Sequence, residues 1–402
     1  MRDGLLATYP ALASDIECDV LVIGAGVTGA LCAWQLVEAG LDTVVVDARE
    51  IGWGSTSAST ALLMYDLDTS LVELTQRIGR ERAVEVYREA RHAVDKLCAM
   101  RFALSAQRTA HSVQPVPSLY LASRTTDAPK LARECDARRA AGLEVELWDR
   151  AEIARHFPFS RAAGLWHHDA AQVDPLALTH ALLADGVQKG LRVYDRTSVK
   201  RSRGRGVEGQ SLPARLTTLT TSTSTGAFIT TDRLVYATGY ETEALLRQPA
   251  VHLHDTYAFA SEPVADLDSW HERALLWETA RPYIYLRTTD DSRVLVGGGD
   301  DRHTTPERRD RALAEKTEQL LRRARRMFPD LDLVAAFAWA GTFAESDDGM
   351  PYIGCHPGYP DSIFAACYGG NGTVFAMLAS EIVRDWCLGR KNEMAEWFGF
   401  GR

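Results

Sequence analysis

The sequence contains no apolar run of the roughly 18–20 residues that a membrane-spanning helix requires, so no stable membrane insertion is expected. Its first stretch, Met1 to Cys18, carries Asp3, Asp15 and Glu17 and lacks the apolar segment of a secretory signal. The seven cysteines (18, 32, 98, 135, 355, 367 and 387) are scattered, with no Cys-x-x-Cys pair. That argues against a disulfide framework, a zinc site and a dithiol redox centre, and suits reduced thiols in a cytoplasm. A basic excess is missing too: the formal net charge is −9, so nucleic acid is not the expected partner. Lysine is scarce, with six residues among 45 basic ones, and the arginine and alanine bias points to a GC-rich bacterial genome. No internal repeat or proline-rich linker is present.

What remains is ordinary globular composition, 46% hydrophobic and 25% charged, over 402 residues. Such a length suits two or three domains, or one large domain with an insertion. Small molecules or other proteins are the natural partners.

The first informative segment is Asp19 to Ile23, a nearly all-apolar run of the kind a buried parallel strand needs. Gly24-Ala25-Gly26-Val27-Thr28-Gly29 follows in G-x-G-x-x-G spacing, and Val27 to Glu38 reads as a helix stopped by Gly40. A second strand, Thr43 to Val46, ends on Asp47. This β–α–β unit is the dinucleotide-binding fingerprint: Gly24 for a tight turn, Gly26 for close approach of a pyrophosphate, Gly29 for close packing of helix on strand. The helix N-terminus favours the anion, and Asp47 can accept from ribose hydroxyls. A second match, Gly204, Gly206 and Gly209, follows Lys200-Arg-Ser-Arg rather than an apolar strand and reads as a hairpin tip. One nucleotide is therefore expected, not two.

Further along, segments 70–101 and 127–141 read as amphipathic helices, and 176–188 as a helix followed by a strand at 191–194. Residues 217–231 read as hairpin strands and 234–239 as another buried strand ending in glycine. Two strands flank the Asp290–Ser292 turn. Glu307 to Phe328 reads as a helix whose Arg322, Arg323, Arg325 and Arg326 form a solvated face. Strand, glycine turn and helix recur at 362–388, where the helix start at Gly372-Thr373 could face a partial negative charge. His167-His168-Asp169 does not read as a metal site, because adjacent histidines on a short segment point in different directions. No metal is expected.

In combination these segments resemble the D-amino-acid-oxidase-like FAD-dependent oxidoreductases, most closely the branch of glycine oxidase, sarcosine oxidase and γ-glutamylputrescine oxidase. The resemblance runs the whole length. Gly24 to Gly29 with Asp47, Ala48 and Arg49 looks like the FAD fingerprint. The run Gly52-Trp-Gly54-Ser55-Thr56-Ser57-Ala-Ser59, continuing through Thr60, Ala61 and Leu62, looks like the loop along pyrophosphate and flavin. Val173-Asp-Pro175 and Thr197-Ser-Val199 match the segment near adenine, and Ala237-Thr238-Gly239 the strand end near the ADP. Trp339-Ala-Gly341 to Ile353-Gly354 resembles the family's closing stretch. Gly369-Gly370-Asn371-Gly372, with Thr373, fits the turn that aims a helix N-terminus at the flavin pyrimidine.

The resemblance implies a Rossmann-like FAD-binding domain (1–89, 158–247 and 337–402) interleaved with an α+β substrate domain (90–157 and 248–336) built on an antiparallel sheet. It implies an oxidase or dehydrogenase of amines or N-substituted amino acids, moving hydride to flavin N5, with O2 or an electron carrier as acceptor. No cysteine stands near Gly341 to attach the flavin, so noncovalent FAD is expected. The substrate pocket is expected to include Tyr283, Asp300, Phe343, Gly370 and Arg281. Relatives carry carboxylate-clamping arginines where Phe343 and Gly370 stand here, and many have a Gly-Arg-Asn-Gly run where Ser57–Thr60 stands. Arg281 is the candidate replacement clamp; otherwise acidic Asp300 and Asp301 would draw a cationic amine. Two alternatives stand beside this reading. One is a dehydrogenase of a 2-hydroxy acid or amine that feeds a quinone or carrier; the other is an NAD-binding dehydrogenase or noncatalytic nucleotide-binding module. The final glycine turn and the 339–354 stretch have no purpose in the latter.

Overall fold

A computed structural model describes residues 7–105, 113–204, 219–246, 251–302 and 305–402. Its strands, in chain order, are β1 (Ile16–Ile23), β2 (Thr43–Val46), β3 (Leu62–Met64), β4 (Gln114–Leu121), β5 (Glu146–Asp149), β6 (Ala163–Gln172), β7 (Arg192–Tyr194), β8 (Val199–Gly204) and β9 (Leu219–Thr223). They continue as β10 (Phe228–Tyr236), β11 (Val251–Ser261), β12 (Leu275–Glu278), β13 (Ile284–Thr288), β14 (Val294–Arg302), β15 (Ala335–Ser346), β16 (Tyr352–His356) and β17 (Tyr359–Ala366).

The strands form two sheets. The first has the order β16-β17-β10-β1-β2-β7, with β9 and β8 joined at β10. Its central pairs β10–β1, β1–β2, β2–β7 and β10–β17 are all parallel. Continuous apolar runs such as Val44-Val45-Val46 suit strands covered on both faces, and all three valines are fully buried. Helices Val27–Glu38, Pro175–Gln188 and Gly372–Cys387 pack together over this sheet, the first being apolar nearly all round. Because these strands run parallel, the loops at their carboxyl ends converge where open α/β sheets bind nucleotides.

The second sheet has the order β15-β11-β14-β13-β12-β4-β6-β3, with β5 on β6. It is antiparallel except for the β12–β4 pair, which is parallel. Helix Pro306–Met327 packs on one of its faces through Leu320, Leu321, Ala324 and Met327. Strands β3 and β6, and β15 from residue 337 on, hydrogen-bond into this sheet although they lie in the segments expected for the cofactor domain.

Two readings of the sequence change here. The strands expected at 217–231 and 234–239 are not three: β9 pairs with one long strand, β10, that runs from Phe228 to Tyr236. The arginines of helix Pro306–Met327 are not simply solvated, since Arg323 pairs with buried Glu278 and Arg325 donates to the Leu333 carbonyl. Of the glycine-rich decoy, Gly206 and Gly209 lie outside the described residues.

Candidate functional site: a cofactor cavity ending in tyrosines and carboxylates

The loops at the ends of β1, β2 and β10 open into a cavity of about 790 Å³ that runs on to the second sheet. Its first wall is the fingerprint. Gly24 has φ +104°, and a side chain there would lie 2.4 Å from the Ala237 carbonyl oxygen, so only glycine makes this turn without strain. At Gly29 a Cβ would sit 1.8 Å from the Gly24 oxygen; helix and turn are as close as backbones can be. The helix N-terminus has no cap from its own residues. Instead the hydroxyl of Thr56, from the loop after β2, accepts from the Val27 N–H at 3.0 Å. Asp47 lies on the wall and accepts from the N–H groups of Ala25 (2.7 Å) and Arg49 (2.8 Å). Burial raises its pKa, and the two N–H bonds oppose that. Arg49 is turned to Glu241 at 2.9 Å.

The second wall is the loop Gly54–Leu62. It is fastened to β15: Trp339 Nε1 donates to the Ala58 carbonyl at 2.9 Å, and a Cβ at Gly341 would sit 3.2 Å from the Ala58 Cβ. The third wall is the turn before helix Gly372–Cys387. Gly370 N–H donates to Asp68 Oδ2 at 3.0 Å, and Asn371 Nδ2 donates to the Asp66 carbonyl. That helix, too, lacks a side-chain cap at its start, leaving its N–H groups for an anion or a carbonyl.

Beyond that turn the cavity is bounded by Asp68, Thr256, Trp277, Tyr283, Tyr285, Asp300 and Phe343. A Cβ at Gly370 would lie 3.1 Å from Asp68 Oδ2 and 3.5 Å from Tyr283 Oη, so these groups converge. Asp300 Oδ1 and Trp277 Nε1 are buried and have no hydrogen-bond partner among the described residues. Asp300 is pushed up to about 6, first by burial and then by the charge of Asp68, against a hydrogen bond from Thr256. Burial, and after it the charges of Asp68 and Asp300, hold Tyr283 well above the usual phenol range. Tyr285 is pushed up to about 12 by the same burial and by Asp300. Phe343 stacks on His254 with centroids 5.5 Å apart.

The structure thus gathers most of the residues expected for cofactor and substrate on one surface, with exceptions. Ala25, Gly29 and Ser57 are not on the cavity wall; they serve it from behind, through Asp47, through the Gly24 turn and through a bond to the Gly54 carbonyl. Arg281 is also off the wall. It is half exposed, lies 4.7 Å over the Tyr283 ring and leans on Asp68 at 3.8 Å. Asp301 pairs with Lys316 at 2.8 Å and points away; the carboxylate that joins Asp300 is Asp68.

Sequence reasoning missed Asp66 and Asp68. Behind the glycine turn, Asp66 is buried against Arg138 and against His167 Nε2 at 2.7 Å. Burial works to raise its pKa, but the Arg138 charge and then His167 drive it well below the usual carboxylate range. Arg138 also holds Glu134 at 2.8 Å, which accepts from the N–H groups of Leu71 and Val72. The signal available was two acids spaced by two in the apolar stretch Met64-Tyr-Asp-Leu-Asp68. His168, by contrast, is exposed, and no metal-binding cluster occurs among the described residues.

The residues present fit FAD. Two helix starts without a cap from their own N-cap side chains, a Gly24 turn that a side chain would fill, and polar atoms at the far end that are unpartnered among the described residues all border one cavity. Residues 19–386 match the family of FAD-dependent oxidoreductases named DAO. The chain is 25% identical to glycine oxidase of Bacillus licheniformis over 395 residues, covering 94% of this chain and 96% of that one. It is 30% identical to a Rieske iron–sulfur protein of Bacillus subtilis described as putative, but over 192 residues, which span 36% of that protein and 48% of this chain. Among solved structures, glycine oxidase from Geobacillus kaustophilus superposes with a TM-score of 0.79 at 20% identity, over 96% of this chain and 99% of that one. Taken with the cavity, the match over residues 19–386 means that this chain belongs to the DAO family of FAD-dependent oxidoreductases.

Proposed function

We propose that this enzyme oxidises a carbon–nitrogen bond of an amine or an N-substituted amino acid lacking a free carboxylate near the reacting nitrogen, with O2 as final acceptor and with FAD held noncovalently. The reading places the cofactor in the segments 1–89, 158–247 and 337–402, and the substrate against 90–157 and 248–336. Bound FAD supplies the two-electron acceptor. The chain's own residues do the rest.

One observation carries the substrate class. The far end of the cavity presents Asp68 and Asp300 among Tyr283, Tyr285, Trp277 and Phe343, and no arginine or lysine lines that end among the described residues. A substrate carboxylate there would meet two like charges and no fork of donors; leaving it unpaired would cost several kcal/mol, or roughly a thousandfold in affinity. An ammonium group would meet carboxylates and aromatic faces instead. Loss of hydride from the carbon needs a free nitrogen lone pair, so the ammonium must first give up a proton. Asp300 Oδ1, buried without a donor, is the acceptor for it. The tyrosines and Phe343 keep water from the reacting carbon. The resulting imine would hydrolyse to carbonyl and amine products.

A peroxide-coupled comparison of glycine, sarcosine and D-alanine with putrescine derivatives and hydrophobic secondary amines tests this. Amines should be turned over and simple amino acids poorly. Efficient turnover of the amino acids, abolished in Arg281→Ala, would sink the reading and make Arg281 a carboxylate clamp. Substrate-dependent bleaching of the flavin in air without peroxide would move the acceptor to a quinone or carrier.

A further inference from the structure

Arg287 is a buried cation that the chemistry above does not use. It stands on β13 two residues after Tyr285 and so on the same face of the strand. Its side chain is 7% exposed and its partners are all backbone carbonyls: Nε donates to Thr60 at 2.5 Å, Nη2 to Val173 at 3.1 Å, and Nη1 to Thr288 at 3.2 Å. Among the described residues no carboxylate is in ion-pair contact with it; Asp174 and Asp290 act only at longer range. Burial brings it down to about 10, which leaves it charged at neutral pH.

The Thr60 carbonyl belongs to the peptide that enters Ala61. Ala61 has φ +45°, a left-handed conformation that a residue with a side chain rarely holds unless its surroundings fix it. In a trans peptide the C=O and N–H point opposite ways. With the Thr60 oxygen drawn inward to Arg287, the Ala61 N–H is turned outward, to Ser59 Oγ at 3.2 Å. Ser59, Thr60 and Ala61 are all on the cavity wall. Arg287 therefore does two things at one place: it sets the plane of a strained wall peptide, and it leaves a positive charge without a contact counter-ion behind that peptide.

We propose that Arg287 is a positioning residue for the cofactor: it fixes the Thr60–Ala61 wall against which FAD rests and, through its unneutralised charge, makes the bound flavin easier to reduce. The inference rests on FAD lying along Gly54–Leu62. Lysine would keep the charge and lose the fork to three carbonyls; methionine would lose both.

The test uses holoenzyme of wild type, Arg287→Lys and Arg287→Met. Two quantities are read: the rate of FAD release after dilution, and the reduced-to-oxidised flavin ratio in equilibrium with a dye of fixed potential. Release should quicken at least tenfold in both variants. The reduced-to-oxidised ratio should fall at least tenfold in Arg287→Met and stay within threefold of wild type in Arg287→Lys. Equal ratios in all three proteins overturn the electrostatic role, and unchanged release in Arg287→Lys overturns the positioning role. Arg287→Lys alone decides the second point if Arg287→Met does not fold. Gly29→Val separates the underlying reading: if that variant folds and keeps its FAD, the placement of the cofactor is wrong whatever Arg287 does.

Discussion

Replacing Asp300 by asparagine should stabilise the protein while weakening the amine binding proposed for its end of the cavity. Asp300 is held at about 6 in the folded chain against 3.8 for the free side chain, because burial and Asp68 disfavour its charged form. A raised carboxyl pKa means that the folded state holds a proton the unfolded chain has lost. Stability therefore falls as pH rises from about 4 to about 6, and the loss is constant above that. A shift of about two units corresponds to roughly 3 kcal/mol, an upper figure for a group that keeps some solvent contact. Asparagine cannot ionise, so Asp300→Asn should unfold at similar urea to wild type near pH 4 and at higher urea by pH 7, with FAD at the same saturating excess throughout. The difference between the two curves isolates residue 300, since every other titrating group is common to both. In parallel, KM for a cationic amine should rise at least tenfold. Parallel stability curves from pH 4 to 8 would refute the argument: Asp300 would then be an ordinary solvated carboxylate.

Three other outcomes follow from the same geometry. The purified protein should be yellow and release its FAD on acid precipitation; flavin that stays with the pellet would mean a covalent link. Asp47→Arg should lose most of its FAD, since a positive side chain would replace the acceptor between Ala25 and Arg49, and an unchanged flavin-to-protein absorbance ratio would remove Asp47 from the site. Arg138→Met should cost about 3–5 kcal/mol in urea unfolding, because it leaves Asp66 and Glu134 buried without their cation. A loss under 1 kcal/mol would show that His167 alone neutralises Asp66.

The parts of this protein that were legible in the sequence are those encoded by local spacing. The strand–turn–helix–strand of 19–47 is written in consecutive residues, and so is the turn at 369–373; each residue's job depends on neighbours a few positions away. The 283–299 hairpin announced itself through its turn. The far end of the cavity, proposed for the substrate, is different. Asp68, Tyr283 and Gly370 meet only because β13 and the turn after β17 arrive from distant parts of the chain, and no periodicity links 68 to 370. The choice between Asp301 and Asp68 as the partner of Asp300 was decided by Lys316, one helix away. Arg281 likewise looked like a free cation beside Tyr283, and Asp68 and the Tyr283 ring take it up instead.

The same logic sorts the buried charges. Asp66 and Asp68 are two residues apart and have different environments: Asp66 is closed off by Arg138 and His167, whereas Asp68 takes a backbone N–H from Gly370 and a long ion-pair contact from half-exposed Arg281 at 3.8 Å. Asp66 can therefore be assigned to structure, since its charge is balanced where it lies. Asp300 and Arg287 are not balanced in this way. Each is a buried or partly buried ionisable group on or behind the cavity wall without an ion partner in contact among the described residues, one an anion near Tyr283 and the other a cation behind Thr60. They do not neutralise each other, and a chain selected for stability alone would have little reason to keep either. Their signs divide the cavity: positive behind the wall expected to meet the cofactor that gains electrons, negative at the end expected to receive the amine that loses them.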